Sequence, residues 1–126
     1  SMSRQPIYHI CANHVWRAFE EGGNLVAEPP PQGEGFLHFS TADQLAESAS
    51  IHFVGREDVV LLTVDLRQLS SELKWEPSRG GALFPHLYGP LPHDAVMRAE
   101  LLSLGSDGNP IIPPLLNEAD LDEADG

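Results

Sequence analysis

A single lysine, Lys74, and a single cysteine, Cys11, stand in a chain of 126 residues. With only seven basic residues against nineteen acids, the formal net charge is −12. A surface that binds long polyanions needs clustered Lys and Arg, so broad nucleic-acid or anionic-membrane surfaces are disfavoured. One cysteine excludes an internal disulfide, and no apolar run approaches the roughly 18 residues of a membrane span. No repeat period is visible, and no histidine pair sits at i,i+2 or i,i+4, the spacings that bring zinc ligands together on one element. No signal peptide is seen, Ser1 reads as an expression scar before Met2, and a cytoplasmic protein is expected.

What is present suits one small domain. A hydrophobic content of 41% can build a self-sufficient core at this length. Eleven glycines and eleven prolines call for many turns and short elements. The acids are unevenly spread: Glu118, Asp120, Asp122, Glu123 and Asp125 crowd the last ten residues. Residues 105–126 therefore read as a Pro-rich then acidic, mobile tail behind a domain spanning 6–104.

Ile7 to Cys11 reads as a strand, with Ile7, His9 and Cys11 on one face. Asn13 is the expected N-cap of a helix over 14–21, with Val15, Ala18 and Phe19 inward. Phe36 to Phe39 reads as a second short strand after a Pro- and Gly-rich loop. Ser40–Asp43 or Thr41–Gln44 fits a capping box, opening a helix that carries Leu45, Ala49, His52 and Phe53 and ends near Gly55. Val59 to Val64 is a continuous β-branched and apolar run, the pattern of a strand covered on both faces. Leu73 to Pro77 reads as a strand and 84–92 as a proline-punctuated loop; in 95–104 Val96, Ala99 and Leu102 also fit a helix, and the context favours a terminal strand. Together these predict an α+β fold with five or six short strands and two helices.

Three histidines, His9, His38 and His86, lie in short extended segments between apolar neighbours. Imidazoles titrate near neutrality, so they suit an acid/base site, a metal site or hydrogen-bonded core positions. Glu76, between Trp75 and Pro77, is a carboxylate in a stiff, partly apolar segment. Arg79 before Gly80 and Gly81 suits a small anion, its guanidinium beside turn amides. Phe36, Phe39, Trp75 and Tyr88 are available to stack on a planar ring.

Taken together, Ile7-Tyr8-His9-Ile10, Trp16, Gly35-Phe36-Leu37-His38-Phe39-Ser40, Gln44, Leu61 to Asp65, Trp75-Glu76 and Phe84-Pro85-His86-Leu87-Tyr88-Gly89-Pro90-Leu91 resemble the bacterial and plant family catalogued as domain of unknown function DUF952. The resemblance covers about residues 6 to 104. That family looks similar in turn to the ADP-ribosyltransferase superfamily. The resemblance implies an ADP-ribosyltransferase-like fold, two small, mostly antiparallel sheets forming a cleft for NAD, with about two helices. It implies His9 on the adenosine ribose of NAD, Phe39, Ser40 and Thr41 at the aromatic and Ser-Thr position, and Glu76 as catalytic acid. Ile10 stands where that superfamily usually has glycine. Around these, His38 is the candidate base and Arg79, His86 and Tyr88 are candidate binding residues. Cleavage of the nicotinamide–ribose bond passes through an oxocarbenium-like state that a carboxylate stabilises. Two readings stay open: an NAD-using transferase or glycohydrolase acting on a small-molecule or protein acceptor, and a non-catalytic module for a small anionic ligand. A histidine-ligated metal hydrolase is a third. No metal, nucleic acid or membrane partner is expected.

Overall fold

The computed structural model describes residues 5–116, and the acidic stretch from Asn117 onward lies outside them. Among the described residues, six strands and two α-helices follow in the order β1 (Ile7–Ala12), α1 (Asn13–Glu20), β2 (Leu37–His38), α2 (Ala42–His52), β3 (Val59–Val64), β4 (Leu73–Pro77), β5 (Leu83–Leu87) and β6 (Val96–Leu101), with short 3-10 turns between them. They form an α+β fold with two three-stranded antiparallel sheets, ordered β1-β3-β6 and β2-β5-β4.

The β-branched and apolar run is the middle strand of the first sheet, and every residue of it, Thr63 included, is buried. Because side chains alternate along a strand, Val60, Leu62 and Val64 enter one core while Val59 and Leu61 enter another. The first core also takes Phe19 of α1 and Leu37, Phe39 and Leu87 around the second sheet. The second takes Tyr8, Ile10 and Leu102, and Leu45 and Ala49 of α2. One sheet face thus meets the second sheet and the other meets α2, which is why a strand with no polar alternation is stable there.

The two sheets are stitched by the segment after β2. Phe39 N–H donates to Pro85 O at 3.0 Å, and Tyr8 and Ser40 then exchange backbone hydrogen bonds of 2.9 and 2.8 Å. The chain leaves the second sheet at Phe39 and joins the edge of the first at Ser40. This crossing brings His9 and His38 together.

Several expectations are corrected. Residues 84–92 are not all loop, since β5 runs through Leu83–Leu87 and is the middle strand of the second sheet. Pro85 fits there because its carbonyl faces Phe39, beyond the end of the two-residue β2, where the missing N–H costs little of the ladder. Asn13 does not cap α1. The helix begins at Asn13 itself, straight out of β1, with no side-chain cap, and Asn13 N–H donates to Asp58 O. Ala18 is exposed, and Trp16 joins Val15 and Phe19 against the core instead. The start of α2 follows expectation, with Gln44 Oε1 accepting from Thr41 N–H at 3.0 Å. Beyond β6 the chain turns back: Leu104 bridges Pro110, and Ile112 and Leu115 pack on the second core. Among the described residues no helix is long and apolar enough to cross a membrane.

Candidate functional site

A cleft of about 380 Å³ opens where the two sheets and α2 meet. Tyr8, His9 and Ile10 of β1 form one wall, His38 to Ser40 another, and Ser48 and His52 of α2 the third. Arg79, Phe84 and His86 close it from the second sheet, and Glu34 stands on the loop before β2. Ile10 puts an apolar side chain in this wall.

His9 Nδ1 donates to the His38 carbonyl at 2.6 Å, which leaves Nε2 as the acceptor of the neutral ring. Its ring also lies against Phe39, with centroids 5.2 Å apart. Burial pushes the His9 pKa below its usual 6.5, opposed by the bond to the carbonyl. The His38 ring faces Glu34, its Nε2 lying 3.1 Å from the carboxylate. Desolvation nevertheless holds the His38 pKa below its usual value, outweighing Glu34.

His86 pairs with His38 across the β2–β5 register. Its Nδ1 lies 2.9 Å from Glu76 Oε1, which also accepts from Tyr88 Oη at 2.6 Å. These bonds, first Tyr88 and then His86, hold the Glu76 carboxyl below the usual carboxylate range, and the same bond raises Tyr88 above the usual phenol value. Phe36 stacks on the His86 ring at 4.0 Å, and the His38 ring meets it edge-on at 5.4 Å. His86 is 4% exposed, and its Nε2 is buried with no hydrogen-bond partner. The hydroxyl of Tyr8, buried at 1% exposure, is orphaned in the same way. Buried polar atoms are nearly always paired, so two orphans among residues of one cleft mark where a ligand or ordered water completes the bonding.

At the α2 end, Ser40 Oγ bonds Ser48 Oγ at 3.1 Å and Arg79 Nη2 donates to Ser48 Oγ at 3.1 Å. The Arg79 guanidinium lies over the Phe84 ring at 5.0 Å and reaches Glu47 at 3.8 Å. Gly80 and Gly81 adopt φ of 68° and 81°, a turn that excludes a Cβ without strain. Gly81 N–H is spent on Ser78 O, so an anion here meets the guanidinium rather than a ring of free turn amides.

Of the residues singled out from the sequence, His9, His38, Phe39, Ser40, Arg79 and His86 line the cleft. Glu76 and Tyr88 do not, and connect to it through His86. Thr41 is the N-cap of α2. Tyr8, Ser48, His52 and Glu34 escaped notice. For Ser48 a signal exists, since it follows Leu45 by three residues and shares the inward side of α2; for Tyr8 nothing local separates it from a core tyrosine. Among the described residues no cluster of three His, Cys, Asp or Glu side chains is placed to hold a metal ion.

The histidines leave a mark on stability. A folded-state pKa below 6.5 means that the unfolded chain takes up protons first as pH falls, so unfolding is favoured on acidification through that region. We expect the urea midpoint to be flat between about pH 7 and 8 and to decline from about pH 6.5 downward. His9→Asn should shallow that decline. An unchanged slope in the variant would assign it to other groups.

The model of the family described as "Protein of unknown function (DUF952)" matches residues 10–99. Among solved structures, the crystal structure of protein CC0527 from Caulobacter crescentus is 40% identical with a TM-score of 0.77, covering 84% of this chain and 93% of that one. A crystal structure of its double mutant matches equally. Its solution NMR structure is 41% identical with a TM-score of 0.72, covering 83% of this chain and 90% of that one. No curated protein matches.

Proposed function

Since the chain belongs to the DUF952 family, whose description carries no activity, function has to come from the cleft, and we propose that this cleft binds NAD or a similar small anionic molecule and cleaves it at the nicotinamide–ribose bond. Nicotinamide leaves, and the ADP-ribosyl group passes to water or to a small-molecule or protein acceptor. The observation that carries the reading is the meeting of His9, His86 and Arg79 at one cleft whose buried Tyr8 hydroxyl and His86 Nε2 have no partner. Two small antiparallel sheets flanking a cleft are also what an ADP-ribosyltransferase-like fold requires.

The parts divide by chemistry. Arg79 offsets one of the two charges of a diphosphate, a small anion that a strongly acidic chain tolerates far better than a polyanion. His9 Nε2, left as acceptor, takes a ribose hydroxyl. Phe39 and Phe84 supply apolar walls for the rings. A volume of about 380 Å³ sits at the lower end of ligand clefts, roughly 300–1,000 Å³, and suits the ribose–nicotinamide end with the remainder across the mouth.

One observation favours the alternative of a binding module without catalysis: Glu76, the expected acid, is engaged by His86 and Tyr88 and is not part of the cleft wall. Calorimetric titration with NAD, followed by chromatography for free nicotinamide, separates the two. Saturable binding with time-dependent nicotinamide release is expected. Saturable binding without release points to the module, and no saturation at millimolar NAD rejects the ligand.

A further inference from the structure

We propose that His86 is the catalytic residue that takes the proton from an incoming hydroxyl, either water or a small alcohol, and that Glu76 is the positioning residue that fixes the His86 ring for this task. This rests on the reading of the cleft as a site that cleaves the nicotinamide–ribose bond. It moves Glu76 from direct contact with substrate to a role exerted through an imidazole.

The tautomer follows from the hydrogen bonds. Glu76 Oε1 already accepts from the Tyr88 hydroxyl and lies 2.9 Å from His86 Nδ1. An ionised carboxylate only accepts, so Nδ1 carries the hydrogen and Nε2 holds the lone pair. Phe36 stacked at 4.0 Å restricts rotation of the ring out of this orientation. A base needs this arrangement of one nitrogen anchored by an acid and the other unspent. Nε2 is unspent, being the side-chain nitrogen in the cleft wall that is buried without a partner.

Access limits the nucleophile. The rings packed on His86 are Phe36 and His38. The buried Nε2 is reached only if one of these rings moves, and His38, with its side chain 60% exposed and tied to a Glu34 that is itself 64% exposed, is the more exposed of the two. The nucleophile in this proposal is therefore small, water or a short alcohol. A cationic amine is disfavoured, because it would have to shed its hydration among apolar rings.

In the reaction, the C1′–N bond breaks and its electron pair returns to the ring nitrogen, releasing neutral nicotinamide. The hydroxyl oxygen forms the new bond to C1′ and its proton passes to His86 Nε2. The resulting imidazolium faces the Glu76 carboxylate, which stabilises it until the proton returns to solvent.

Three measurements test this. In histidine-¹⁵N-labelled protein, the His86 signals should show a protonated Nδ1 and an unprotonated Nε2, and Glu76→Gln should abolish that preference. With NAD as substrate, His86→Gln should lower kcat by about 10²–10⁴-fold with KM within about twofold, and Glu76→Gln should lower kcat less. Added methanol should give the O-methyl glycoside of ADP-ribose in the wild type. Should the buried His86→Gln variant fail to fold, Glu76→Gln, at a partly exposed position, carries both readouts. Wild-type nicotinamide release by folded His86→Gln, or an Nε2-protonated His86 in the wild type, would overturn the proposal and leave the cleavage reading standing. A wild-type protein that releases no nicotinamide overturns both.

Discussion

Leu61→Ala is expected to lower the free energy of unfolding by about 2–5 kcal/mol. Leu61 has no solvent exposure and sits in the middle strand of the first sheet, paired with Ile10 on one side and Glu100 on the other. Its side chain packs in the core with Tyr8, Leu45, Ala49 and Leu102. Strands flank it on both sides and α2 lies over it, so the surroundings cannot collapse into the void, and the cavity cost adds to the lost burial. A domain of this size is stable by only about 5–15 kcal/mol, so the loss is a large share of the total. Leu101→Ala, at a residue 64% exposed on the edge strand β6, should change stability by less than about 0.5 kcal/mol. Urea unfolding of the pair supplies the check: the midpoint should fall for Leu61→Ala with the slope unchanged. A loss below about 1 kcal/mol would mean that the sheet relaxes around the deletion.

The second large effect is on binding. Arg79→Ala should weaken NAD binding by about 10–100-fold, the equivalent of about 1.5–3 kcal/mol for a charge-assisted hydrogen bond. Arg79 is the one guanidinium or ammonium group among the described residues of the cleft wall. Besides the Phe84 ring beneath it, its partners are a serine hydroxyl and the distant carboxylate of Glu47, whose side chain is 71% exposed. An exposed ion pair of that length contributes little, so a diphosphate can take the guanidinium over at small cost. Unfolding should move by no more than about 1 kcal/mol. Arg79→Lys should recover part of the affinity, since an ammonium restores the charge without the planar fork. Inorganic pyrophosphate should compete with NAD in the wild type and compete poorly in Arg79→Ala. Equal NAD affinity in wild type and Arg79→Ala would place the diphosphate elsewhere.

Much of the fold was legible from local pattern. The β-branched and apolar run of β3, the Thr41–Gln44 box opening α2 and the short extended run ahead of Ser40 each declare themselves within a few residues. The misreadings share a cause. Pro85 suggested a loop because a missing N–H normally ends a strand, but the two-residue length of β2 leaves that position with little ladder to lose. Asn13 suggested a cap because its side chain suits one, but the chain passes directly from β1 into α1 and Asn13 turns its backbone N–H to Asp58. In both cases a partner distant in sequence sets the local answer.

By itself, the sequence determined the α+β class, the middle strand, the absence of internal disulfides and a shortlist containing His9, His38, Arg79 and His86, because hydrophobic period, capping chemistry and residue type act over a few neighbouring positions. Only the tertiary structure decided which of these meet. The Tyr8–Ser40 bridge joins the two sheets and carries His9 to the His38 carbonyl, a contact 29 residues apart in the chain. The β4–β5 pairing places Glu76 within reach of His86, and so sets the carboxylate behind the imidazole rather than in the open cleft. The physical reason is that a hydrogen bond's direction and a group's desolvation depend on what packs around it in space, and strand register, which brings those groups together, is settled only when the sheets form.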